Sequence, residues 1–162
     1  MTGEGDQLPP DSRVVRYVPF GKMRTDEDEN FLGPLPSAFE RRVGEDYLSV
    51  SWCEYFEGTF DEQLRCSIES IRNSKMSVKP KACFCVADTR DLLPCIENFG
   101  GIGRAVYHPE DDSHAHAGVY GVGAEELELL SYLADEVWNT YLTKQDADNL
   151  PLSACGKSPD VA

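Results

Sequence analysis

The sequence lacks any apolar run approaching the roughly 18 residues of a membrane-spanning helix. Its first twelve residues, MTGEGDQLPPDS, show neither the basic start nor the apolar stretch of a secretory signal. These absences point to a cytosolic protein without a membrane segment. Positive charge is also scarce, with 15 Lys and Arg against 29 Asp and Glu and a net charge of −14. Residues 1–12 carry a net −3 and residues 143–162 a net −1, so −10 resides on residues 13–142 and the body itself is acidic. Direct nucleic-acid binding is disfavoured, because neutralisation of phosphates by Lys and Arg supplies most of that affinity. Phosphate-loop fingerprints are missing too. The glycine-rich GGIG (100–103) precedes a strand-like stretch instead of a helix N-terminus.

What is present suits one α+β domain, a mixed or antiparallel sheet of about five strands with two main amphipathic helices packed on it. Residues 1–12 and 143–162 read as flexible tails around a single body at 13–142. VVRYV (14–18) is a first strand that stops at Pro19. In YLSVSW (47–52), Leu48, Val50 and Trp52 alternate with smaller or polar residues, so Trp52 belongs to the core face. Two capping boxes, Ser37 with Glu40 and Thr59 with Glu62, each announce a helix. The second carries Phe60, Leu64, Ile68 and Ile71 along one face. ACFCVA (82–87) is an apolar buried strand, LLPCIENF a helical turn, and RAVYH (104–108) with AHAGVYG (115–121) a hairpin. A long helix is expected over residues 123–142, with Leu127, Leu130, Ala134, Val137 and Tyr141 as its apolar stripe.

Six cysteines would suit a disulfide framework in a secreted chain, but in a cytosolic chain of this length they are expected as reduced thiols. Most of these are buried, with Cys155 the exception in the C-terminal tail.

All three histidines fall in AVYHPEDDSHAHAGVYG (105–121), among Glu110, Asp111 and Asp112. If residues 114–118 are extended, His114 and His116 face one way. His108, His114 and His116 are thus the candidate catalytic residues, and His114, His116 and Asp112 the candidate ligands of a divalent metal, with zinc the ion of choice and Cys83 and Cys85 as further donors. No resident cofactor is otherwise expected. HAHAGVY also resembles the HxHxHxx signature of the histidine triad nucleotide hydrolases, but Gly118 stands where the third histidine belongs, and that activity does not carry over. The plain alternative is a hydrated hairpin loop whose Asp and Ser side chains satisfy turn amides.

Two functions follow. The first is an acidic interaction or regulatory protein that binds a basic partner protein, through Glu125, Glu128 and Asp135 with Tyr55 and Phe56 as aromatic contacts. The second is a small hydrolase or transferase that uses the histidine loop. A local excess of cations at Arg65, Arg72, Lys75, Lys79 and Lys81, against Glu69 alone, could meet an anion or could be a solvated helix end.

Overall fold

The computed structural model describes residues 1–123 and 126–162. It is an α+β fold built on a six-stranded sheet, larger than the sequence suggested, in the order β6-β7-β4-β1-β5-β8 with every neighbouring pair antiparallel. In chain order these elements are β1 (Arg13–Val18), the small hairpin β2 (Met23–Thr25) and β3 (Phe31–Pro34), β4 (Leu48–Trp52), α1 (Phe60–Arg72), β5 (Cys83–Asp88), α2 (Thr89–Asn98), β6 (Arg104–Tyr107), β7 (His116–Tyr120), α3 (Leu127–Tyr132), β8 (Thr140–Thr143) and α4 (Lys144–Asp148). No helix among the described residues is long and apolar enough to cross a membrane.

The sheet is covered on both faces. On one, Ile68 and Ile71 of α1 pack with Val15 and Phe84 of the sheet and Ala147 of α4. On the other, Trp52, Leu92, Ile96, Leu129, Leu130 and Trp138 form the larger core, and Trp138 stacks on Phe39 at 5.1 Å. Trp52 is 2% exposed, as its strand pattern requires.

Local signals succeeded where the chain itself closes the motif. Thr59 accepts from the Glu62 amide and Glu62 reaches back to Thr59, so α1 starts where the capping box places it. Phe60, however, lies outside the buried stripe and is exposed, with the Arg13 guanidinium 4.3 Å from its ring centre. The Ser37/Glu40 box forms no helix. Residues Pro36–Phe39 make a single 3-10 turn without a side-chain cap, because Phe39 is drawn into the core. LLPCIENF belongs to a full ten-residue helix, α2, capped by Asp88.

The expected helix over 123–142 is the largest correction. Its helical part ends in a π turn at Leu133–Val137, where the Trp138 amide donates to the Leu133 carbonyl, and the chain then becomes β8. The extra residue in that turn lets Leu129, Leu130, Leu133, Ala134, Val137 and Trp138 all face inward, while Leu127 is left 68% exposed.

Both terminal segments, expected to be flexible, lie against the body. Residues 5–8 bond to β6 through Gly5, Asp6 and Leu8, which covers an otherwise bare sheet edge. At the other end Gly156 and Ser158 bond to Glu57 and Tyr55, Val161 is buried, and Thr2 bridges the two termini. Cys155 is joined to Cys66 of α1 by a disulfide, 89 residues away in sequence, so the expectation of six reduced thiols is overturned. Cys53, Cys83, Cys85 and Cys95 are free and buried.

Candidate functional site

The hairpin of β6 and β7 forms as expected, with Tyr107 opposite Ala117 and Arg104 opposite Tyr120. Its connection is a tight turn in which Glu110 and Ser113 exchange backbone hydrogen bonds. Only His116 of the pair lies in β7. His114 sits in the turn just before it, is exposed, and lines a different hollow together with Tyr55, Phe56 and Asp111. The same-face geometry therefore does not arise, because the extended stretch starts two residues later than the pattern implies.

Asp112 shares the outer cleft with His116 but is already engaged by a backbone amide. It accepts from the Lys75 amide at 2.8 Å, and that bond holds its carboxyl below the ordinary range. Cys83 and Cys85 lie on β5, three strands from β7, which at about 4.8 Å per strand is too far to share an ion. Burial pushes both thiols up to about 12, the condition of inert structural cysteines. Among the described residues no group of three His, Cys, Asp or Glu could hold a metal.

His116 is instead a wall residue of a cleft. It is 7% exposed, and its Nδ1 lies 2.7 Å from the His108 carbonyl, which can only accept, so Nδ1 carries a proton. Nε2 faces the Ser49 hydroxyl and a Glu110 carboxylate oxygen, both at 3.2 Å. His108 bonds through its own Nε2 to the Tyr120 hydroxyl at 2.7 Å, and Tyr47 stacks over it at 5.2 Å. Tyr47 in turn needs Gly118. A Cβ there would sit 2.7 Å from the Tyr47 ring, so glycine leaves the space in which this aromatic layer forms.

The cleft exists because β1 and β4 part company. They pair only at Val14 with Trp52 and Val15 with Ser51, whereas β1 pairs with β5 over six residues. Arg16 fills the gap, donating from Nε to the Ala38 carbonyl and from Nη1 to the Ser49 carbonyl, both at 2.8 Å. Protein surrounds the guanidinium, and this burial, reinforced by the nearby Arg42 charge, lowers its pKa to about 10. Ser49, Arg42 and Glu45 line both the deep end beside Arg16 and the outer end beside His116.

The acidic candidates divide. Tyr55 and Phe56 are 8% and 7% exposed, packed edge to face at 4.9 Å under the C-terminal segment, and so are not surface contacts. Glu125 lies outside the described residues. Glu128 and Asp135 are exposed on one side of α3 and its π turn, beside Glu136. They rim a shallow groove floored by Phe99, Leu127 and Tyr132, which are 39%, 68% and 48% exposed, with the Phe99 and Tyr132 rings 5.9 Å apart. The apolar patch was not legible in the sequence, because Leu127 reads as part of the buried stripe and Phe99 comes from the end of a different helix, α2. Within the cationic stretch 65–81, Arg65 pairs with Glu69, Arg72 with Glu69 and Asp148, and Lys81 with Glu29. Compared with known proteins, the chain matches no family model, no curated protein and no solved structure.

Proposed function

We propose that this chain is an interaction protein of accessory or regulatory type that binds a basic partner protein through the groove on α3. The observation that carries the reading is the exposure of Phe99, Leu127 and Tyr132 side by side within an acidic rim of Glu128, Asp135 and Glu136. Exposed apolar side chains that touch one another are unlike scattered surface residues and suit a contact surface. A rim of one sign selects a partner of the other, steers its approach and disfavours nucleic acid. Asp135 already meets Arg24 at 3.6 Å, so Glu128 and Glu136 are the freer part of the rim.

A photo-crosslinking residue placed at Tyr132 tests this in cells. Capture of a basic protein, lost in the Glu128→Lys/Glu136→Lys variant, supports the reading. Equal capture by the two chains refutes it. The cytosolic location is part of the proposal, and the Cys66–Cys155 disulfide of the fold stands against it, so the state of this bond inside cells is its test. Chains trapped with thiol-blocking reagent and found oxidised would place the protein in an oxidising compartment.

A second reading is favoured by Ser49 and His116. A serine hydroxyl 3.2 Å from an imidazole nitrogen whose ring is fixed on its other side has the layout of an activated nucleophile, as a small hydrolase or transferase needs. Labelling of Ser49 by a fluorophosphonate, abolished by His116→Gln, would support it. No labelling of the native chain would remove it.

A further inference from the structure

Four cations, Arg16, Lys22, Arg41 and Arg42, line the deep end of the β1/β4 cleft against two carboxylates, Glu40 and Glu45. In a chain of net charge −14 such a local excess runs against the field of the whole molecule. Among the described residues none of the four is within ion-pair distance of a carboxylate. Arg16 spends Nε and Nη1 on carbonyls and leaves Nη2 without a protein partner. The side chain is half-buried, and Glu45 is the carboxylate that acts on its charge from beyond ion-pair distance, so a partly desolvated guanidinium here gains from an anion that reaches Nη2 directly. The deep end encloses about 200 Å³ and opens into an outer end of about 360 Å³, bordered by Ser49, Glu110 and His116. The outer end is acidic in balance, with Arg42 and Lys75 facing Glu45, Glu110 and Asp112. The cleft is thus polarised along its length.

We propose that this cleft binds a small phosphorylated molecule, its phosphate held at the deep end by Arg16 and Arg42 and its uncharged remainder lying toward Ser49 and His116. Several convergent cations match a dianion better than a carboxylate's single charge, and the guanidinium fork suits phosphate oxygens. The deep end has room for a phosphate group but not for a bulky ester, which therefore extends outward. The proposal needs no chemistry at Ser49 and does not rest on the groove on α3.

Calorimetric titration with inorganic pyrophosphate, and with acetate for contrast, is the test. Arg16 also supports the fold, so the decisive variant is Arg42→Ala, because Arg42 is exposed and its side chain forms no hydrogen bond or ion pair among the described residues, while the bond from the Glu45 amide to its backbone carbonyl survives the change. Saturable pyrophosphate binding at one site is expected, weakened roughly tenfold or more in Arg42→Ala with an unchanged melting temperature of the free protein. Glu45→Gln removes the carboxylate that most opposes an anion beside Arg16, and it should tighten binding several-fold. Glu128→Lys/Glu136→Lys should leave this titration unaltered, which separates the site from the groove. The absence of saturable binding up to about 10 mM, equal affinity in Arg42→Ala, or acetate binding as tightly as pyrophosphate would each overturn the proposal.

Discussion

Cys155→Ser removes a cross-link that spans 89 residues and ties the end of the chain to the middle of α1. In the chain-entropy account, closing a loop of that length lowers the freedom of the unfolded chain by about 4–5 kcal/mol at room temperature. The native state has little reason to change in the variant. Backbone bonds from the Glu57 amide to Gly156, from the Ser158 amide to Tyr55 and from the Ala162 amide to Thr2 remain, and Val161 stays buried. The loss should therefore fall almost wholly on the unfolded side and reach most of that figure. For a domain of this size each kcal/mol moves the melting midpoint by about 2–4 °C, so a drop of about 8–20 °C is expected. Thermal melts of wild type and Cys155→Ser provide the measurement, with wild type melted again after full reduction. Thiol titration in denaturant provides the control, with four free thiols before reduction and six after. A midpoint shift under about 2 °C, once the thiol count proves reduction, would refute the reasoning. It would mean that the C-terminal segment is not tied down in the way that closes the loop.

Three further outcomes can be measured. Trp52→Ala should cost about 3–5 kcal/mol in urea denaturation, since the ring is 2% exposed and packs edge-on against Tyr107 at 5.4 Å; a loss under about 1 kcal/mol would mean that the site collapses or that Trp52 is not core. Gly118→Val should destabilise by about 1–3 kcal/mol and shift the His108 and His116 ring resonances in NMR, because the new side chain meets Tyr47; unchanged spectra would show that the aromatic layer does not depend on Gly118. Asp88 caps α2 by accepting from the Arg90 amide, and the Arg90 side-chain bonds hold its carboxyl below the ordinary range. A depressed carboxyl contributes stability above its unfolded pKa of about 3.9 and loses it as pH falls through the folded value. Asp88→Ala should therefore cost about 1 kcal/mol at pH 7, and the gap from wild type should close as the pH falls below about 4; a gap that persists at low pH would contradict the assignment.

The sequence alone determined what is written in short stretches. The Thr59/Glu62 box starts α1 because both partners lie within one turn, and the alternation of Leu48, Val50 and Trp52 sets the core face of β4 because a pleat has period two. The hairpin of β6 and β7, the α+β class and the acidic body were legible for the same reason. Tertiary structure decided whatever needed two distant stretches at once. Thr140–Thr143 became a strand because β5 had a free edge to offer, and the π turn before it keeps Trp138 inside. His114 and His116 were two apart in sequence but fell on different surfaces, since the turn runs further than spacing could show. Arg16 was a single charge in a β-rich stretch until β1 and β4 separated around it, and Cys155 an isolated thiol until folding brought it to Cys66. Local propensity is fixed by neighbours in the chain. A cleft, a cross-link or an unpaired charge is fixed by neighbours in space, whose positions depend on the packing of the whole fold.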